Sequence, residues 1–382
     1  MRPHRLTAAV PAAVLATLAV AGSAQAASPT FAPYASYTTG SGAGPGPAPV
    51  STVAADFNGD GHPDVASVNN FGQGSVILMF NRGNGTFGAP VQIPGSSGIQ
   101  SLAAGDVNGD GRPDLVGMSP TAVVVLLNNG NGTFRVGASY PESIGGQIES
   151  ILTDLNGDGR LDVVAMTFTG VQTLLGNGDG TFRTGPATTI PGASVLSAIT
   201  AANIDGDGHP DLYALDGSSG TVFSLRGTGT GAFTVSGHLY ASGFIPEDID
   251  PVDLNGDGID DVAVIGSFSF TLATALADGH GGFSTGMTPV LQFGGQGPTS
   301  LGSADFNHDG HQDLVISDIA NPGPSILEVF TGNGTVSPVQ SGSFNAGAFS
   351  QNPAIADYNG DGRPDIAVAG PGTLSVLLNR TP

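Results

Sequence analysis

The chemistry of this chain is concentrated in one recurring set of oxygen donors. The pattern D-x-N-x-D-G-x-x-D begins at Asp56, Asp106, Asp154, Asp253, Asp305 and Asp357. A seventh copy exchanges the types of its first two donors and runs from Asn203 through Asp205 and Asp207 to Asp211. Successive copies start 50, 48, 49, 50, 52 and 52 residues apart, and 21 of the 28 Asp in the chain stand at their donor positions. The acidity is therefore gathered at seven points rather than spread as a solvated coat.

In the first copy Asp56, Asn58 and Asp60 offer side-chain oxygens at positions 1, 3 and 5, Gly61 permits the sharp turn, and Asp64 closes the set at position 9. The main-chain carbonyl of His62, at position 7, completes it. Such alternation suits a hard cation, which takes about six to eight oxygens at roughly 2.3–2.6 Å. The equivalent side chains are Asp106, Asn108, Asp110 and Asp114, then Asp154, Asn156, Asp158 and Asp162, then Asn203, Asp205, Asp207 and Asp211. They continue with Asp253, Asn255, Asp257 and Asp261, with Asp305, Asn307, Asp309 and Asp313, and with Asp357, Asn359, Asp361 and Asp365. Three carboxylates around one point repel one another unless a cation joins them. Magnesium demands rigid octahedral geometry, and with no Cys in the chain and no His at a side-chain donor position soft metals are disfavoured. Calcium is the expected ion, up to seven per chain. An empty Asx turn explains a single D-G pair but not seven copies at one spacing. The loops are not EF-hands, because position 12 is Ser67, Gly117, Ala165, Ala214, Val264, Ile316 and Val368 in turn, never Glu.

The elements that must hold these loops are strands. In the second repeat an apolar segment precedes the loop (Ser101 to Gly105), another follows it (Asp114 to Met118), and a third is β-branched (Val123 to Leu127). A glycine turn then ends in Phe134, and a weaker fourth segment follows. Four strands per repeat of about 50 residues is the unit of a propeller blade. The expected fold is all-β, a seven-bladed β-propeller of four-stranded blades. The last repeat stops after Asn379 without its fourth strand, while Phe31-Ala32-Pro33-Tyr34 matches the fourth-strand start at Phe87-Gly88-Ala89-Pro90. Residues 31–38 are thus expected to complete the last blade and close the ring, which removes exposed sheet edges. Residues 1–26 read as an export signal, with Arg2 and Arg5, an apolar stretch from Leu6 to Ala21 and an Ala24-Gln25-Ala26 cleavage pattern. The expectation is a secreted, extracellular protein whose single domain spans residues 27–382.

The D-x-N-x-D-G-x-x-D loop, the S-V-L-L-N type third strand and the GNGTF turn together resemble FG-GAP/VCBS repeats, the blades of integrin-α-like N-terminal propellers. That resemblance covers about residues 31–380 and implies that the strand before each loop is innermost and that the loop is the hairpin leaving it. By position it also implies main-chain donors at Arg112, Arg160, His209, Ile259, His311 and Arg363. Asn203 and Asp205 exchange type at constant charge, so that site is expected to survive; His308 replaces Gly at position 4 of the sixth loop.

With 32 acidic residues against 10 Arg and no Lys, the surface should repel nucleic acid and anionic membrane. No run after the signal is long and apolar enough to span a bilayer, and a monomer is expected. The segments facing away from the acidic loops vary between repeats. They carry Asn69, Asn70 and Phe71, Tyr140 and Glu142, Phe168, Tyr240 and Phe244, Glu247 and Asp248, Phe268, and Phe349. Aromatics beside amides and carboxylates suit recognition of an extracellular glycan or protein, although any one of them could instead pack between blades. The reading is a non-catalytic binding or adhesion module, lectin-like in character. The alternative is a polysaccharide lyase or hydrolase on the same scaffold. Against it, there is no Lys, Cys, G-x-S-x-G or H-E-x-x-H, and no catalytic residue is assigned.

Overall fold

The computed structural model describes residues 27–39, 51–69, 75–141, 149–241, 246–266, 271–292, 297–318, 325–347 and 351–382. Residues 1–26, expected from the sequence to be an export signal, lie outside them. The described residues form seven antiparallel four-stranded sheets. In the first, the order from the centre outwards is Thr52–Ala55, Asp64–Asn69, Ser75–Met79 and Val91–Gln92. The other innermost strands are Ser101–Gly105, Ser150–Thr153, Leu196–Ala202, Asp248–Val252, Pro298–Ala304 and Gln351–Ala356. Each touches the innermost strand of the next blade, and the seventh touches the first, so the sheets form a closed β-propeller as expected. Among the described residues no helix is long and apolar enough to cross a membrane.

The core lies between the blades. Seven apolar clusters each combine residues of two neighbouring sheets, including one joining the last blade to the first. This arrangement explains why the second strands are continuous apolar runs rather than alternating ones. Both faces of Asp211–Asp216, for example, are covered, and all six residues are buried.

The ring closes as the sequence predicts. Ala35–Thr38 pairs antiparallel with Thr373–Leu377, from Ala35 opposite Val376 to Thr38 opposite Thr373. Phe31 bridges to Asn379 and packs edge-on against Phe306 at 5.5 Å and Phe344 at 5.1 Å. The last blade thus has its outer strand supplied by the start of the described chain.

Candidate functional site

All seven acidic loops connect an innermost strand to the second strand of its blade, so they gather on one face of the ring. The loop coils because its side chains cap its own main chain. In the first, Asp56 Oδ1 accepts from Gly59 N and its Oδ2 from Gly61 N, both at 2.7 Å. Asn58 Oδ1 accepts from Asp60 N at 2.8 Å, and Asp60 Oδ1 from His62 N at 3.0 Å. Gly61 sits at φ +86°, where a side chain is disfavoured. The sixth loop keeps its turn with His308 at φ +57°, and Asp305 still accepts from Asp309 N and Gly310 N. The substitution there strains the turn but does not abolish it.

Position 9 has a structural duty that the donor pattern alone did not reveal. All seven of these aspartates are fully buried. Asp64 Oδ2 accepts from Phe57 N at 3.1 Å and its Oδ1 from Asn81 N at 2.8 Å, fastening the loop to the end of the third strand. The other six copies make the same pair of bonds. Burial pushes the carboxyls of Asp64 and Asp313 up to about 7, and the carboxylates at positions 1 and 5 of the same loop add to the rise. The two N–H bonds oppose it. The residue at position 2 is the plug beside it: Phe57, Val107, Leu155, Ile204, Leu254, Phe306 and Tyr358 are all buried. Where the residue at or just past the end of the third strand is Asn, its amide also reaches the neighbouring blade. Asn81 Nδ2 donates to Tyr358 O, Asn128 Nδ2 to Phe57 O and Asn379 Nδ2 to Phe306 O, at 2.8–2.9 Å.

The donor types, carboxylates and amide carbonyls, suit a hard cation, and the carboxylates at positions 1 and 5 lie close enough to act on the one at position 9. Among the described residues no basic side chain pairs with the first, third, fifth or sixth loop. Also among the described residues, no three acidic or histidine side chains come together as a group placed to hold a metal ion. The position 1 oxygens cap N–H groups, and position 9 turns toward the core.

The other polar centre is an axial cavity, a channel of about 530 Å³ lined by the innermost strands, mostly near their starts, the ends away from the acidic loops. Glu149, Glu247, Asp248 and Asp250 line it, with Ser51, Ser150, Thr200, Thr299 and Asn352. An innermost strand leaves N–H groups without a sheet partner on its channel side, and neighbouring side chains cap some of them. Glu149 Oε2 accepts from Ile199 N at 2.8 Å, Asp248 Oδ2 from Leu301 N at 2.9 Å, and Ser51 Oγ from Leu102 N at 3.0 Å. Burial raises Glu149 to about 8, Asp250 to about 7 and Asp248 to about 6, and neighbouring carboxylates reinforce each rise. Asp250 Oδ2 and Ser150 Oγ are buried without a hydrogen-bond partner.

Of the sequence-predicted ligand residues, Glu247 and Asp248 come together in this channel. Tyr140 does not serve as a surface residue: its ring packs edge-on against Phe182 at 5.8 Å, and its hydroxyl accepts from Phe182 N. Phe168 and Tyr240 are 56% and 61% exposed. Phe71, Glu142, Phe244, Phe268 and Phe349 lie outside the described residues, as does Asn70. Sequence reasoning missed Glu149 and Asp250. The available signal was that both are acids outside the nine-residue pattern, and that Asp248 and Asp250 alternate along one strand and so share a face.

A family model described as an FG-GAP-like repeat matches residues 56–117, 106–153, 154–214, 203–264, 253–316 and 305–368. No curated protein matches the chain. Among solved structures, an Agrocybe aegerita lectin that recognises non-reducing terminal N-acetylglucosamine is 21% identical, with a TM-score of 0.58 over 87% of this chain and 85% of its own. BBS1N, solved in complex with ARL6DN, is 11% identical, with a TM-score of 0.64 over 93% and 97%. A protein from Lactobacillus plantarum is 17% identical, with a TM-score of 0.54 over 78% and 86%. At these identities the likeness is one of fold.

Proposed function

We propose that this chain, which belongs to the FG-GAP-like repeat family, is an exported, calcium-stabilised binding module without catalytic activity. The observation that carries the reading is the division of polar chemistry between the two ends of the ring. One end carries self-capped acidic loops, and towards the other lies a channel whose acids and hydroxyls are presented by rigid strands. Calcium in the loops would be held by the side chains at positions 1, 3, 5 and 9 and the carbonyl at position 7. It would neutralise carboxylates that now repel one another. An ion that binds the folded chain alone raises stability by mass action.

The ligand belongs at the channel mouth, where Glu247, Asp248 and Glu149 face a hydroxyl-rich rim. Acids and hydroxyls of this kind recognise the hydroxyl and amine groups of a glycan or the basic side chains of a protein. Of the two similarly folded proteins, the lectin recognises terminal N-acetylglucosamine and BBS1N was solved in complex with ARL6DN, which supports a binding role. The test is a glycan array and a set of immobilised extracellular proteins, probed in calcium with the exported chain and with Asp248→Asn. Retention that the variant loses supports the reading. Release of reducing ends or unsaturated sugars from a polysaccharide would replace it with the enzymatic alternative. An unchanged melting curve in excess chelator would remove the role given to calcium.

A further inference from the structure

The fourth acidic loop differs from the other six in what neutralises it. In every blade a residue at or just past the end of the third strand has an N–H that reaches the position 9 aspartate. The residue just before it is Phe80, Leu127, Leu175, Leu276, Thr331 or Leu378 in six blades, and Arg226 in the fourth. The Arg226 Nε donates to Asp205 Oδ2, and its Nη2 lies 3.6 Å from Asp207 Oδ2. The Asp205 side chain is left only 3% exposed, while Arg226 itself remains 44% exposed. The arginines of the second and seventh loops behave differently. Arg112 and Arg363 sit at position 7 of their own loops and lie 3.6 and 3.7 Å from the position 5 carboxylate alone.

Position 1 is altered as well. Asn203 has one side-chain oxygen, which accepts from Gly206 N at 3.0 Å. Its amide donates instead to Gly258 O of the fifth loop at 3.0 Å, and its main-chain N donates to Asp260 Oδ2 at 2.7 Å. The exchange of Asn and Asp at positions 1 and 3 therefore does more than conserve charge. It places a carboxylate where Arg226 reaches it and an amide where the next blade accepts it.

We infer that the fourth loop carries its own cation: the Arg226 guanidinium does there what a metal does elsewhere, so calcium loading stops at six ions and the fourth loop keeps its shape without metal. This rests on the calcium reading of the other loops. It is tested by elemental analysis of the exported chain equilibrated with calcium, together with hydrogen exchange of the loop amides with and without chelator. The expected count is six for the wild type and seven for Arg226→Leu, which installs the leucine that four of the other blades carry there. On chelation the amides of Gly206 to His209 keep their protection while those of the other loops lose it several-fold. In Arg226→Leu the fourth loop loses protection in chelator and regains it in calcium. Seven ions in the wild type, or a fourth loop that loosens on chelation with the others, overturns the inference. If no loop binds calcium, the calcium reading fails separately. Arg226→Leu measured in chelator then still decides the arginine's role: unchanged protection of the fourth loop would refute it.

Discussion

Glu149→Gln should stabilise this protein, and by an amount that depends on pH. Burial, reinforced by the Asp248 carboxylate, lifts the Glu149 carboxyl from its ordinary 4.5 to about 8, against one hydrogen bond from Ile199 N. Because the folded chain holds this proton more tightly than the unfolded chain, stability rises as pH falls from about 8 and is fully regained below about 4.5. At about 1.4 kcal/mol for each pH unit, the cost at pH 8 has a ceiling of about 4–5 kcal/mol. Water in the channel screens the charge and brings the working figure to roughly 2 kcal/mol. Glutamine keeps an oxygen for Ile199 N and carries no charge to desolvate. In scanning calorimetry the variant should melt a few degrees above the wild type at pH 8, and the gap should close by about pH 4.5. A variant less stable at pH 8, or a gap that does not change with pH, would refute the reasoning.

Three further substitutions probe the frame. Asn128→Ala strands the carbonyls of Phe57 and Pro113, which its amide holds at 2.9 and 3.0 Å, and should cost about 1–3 kcal/mol in urea titration. His308→Gly removes a side chain from a left-handed backbone position and should gain about 0.5–1 kcal/mol net of glycine's entropy, seen as a higher urea midpoint. Phe31→Ala empties the contact with Phe306 and Phe344 and should cost about 2–3 kcal/mol. Limited proteolysis should then cut first between residues 27 and 39.

The blade count and the closing strand were legible in the sequence because each is written as a repeat: seven loop patterns, and a Phe31 segment matching Phe87. The role of position 2 was not legible, since an apolar residue between two ligands says nothing about which blade it enters. Phe57 and Tyr358 acquire meaning only when neighbouring sheets meet. The channel was half legible. Glu247 and Asp248 stood out in a variable segment, but Glu149 borders a strand that reads as apolar and becomes a channel acid only once seven such strands surround an axis. Arg226 escaped notice for a related reason: its partners lie 19 and 21 residues earlier in the chain, and only the hairpin geometry of the blade brings them alongside.

The pairing that closes the ring also decides how the molecule responds to force. Ala35–Thr38 and Thr373–Leu377 run antiparallel, and the outward extensions of both strands meet where Thr30 N donates to Thr381 Oγ1 and Arg380 N to Thr30 O. A load applied across the two ends therefore peels this seam one bond at a time instead of shearing all of its bonds together. The seventh blade would give way first, and a tether through both ends would open the ring at low tension while the six other sheets stayed intact.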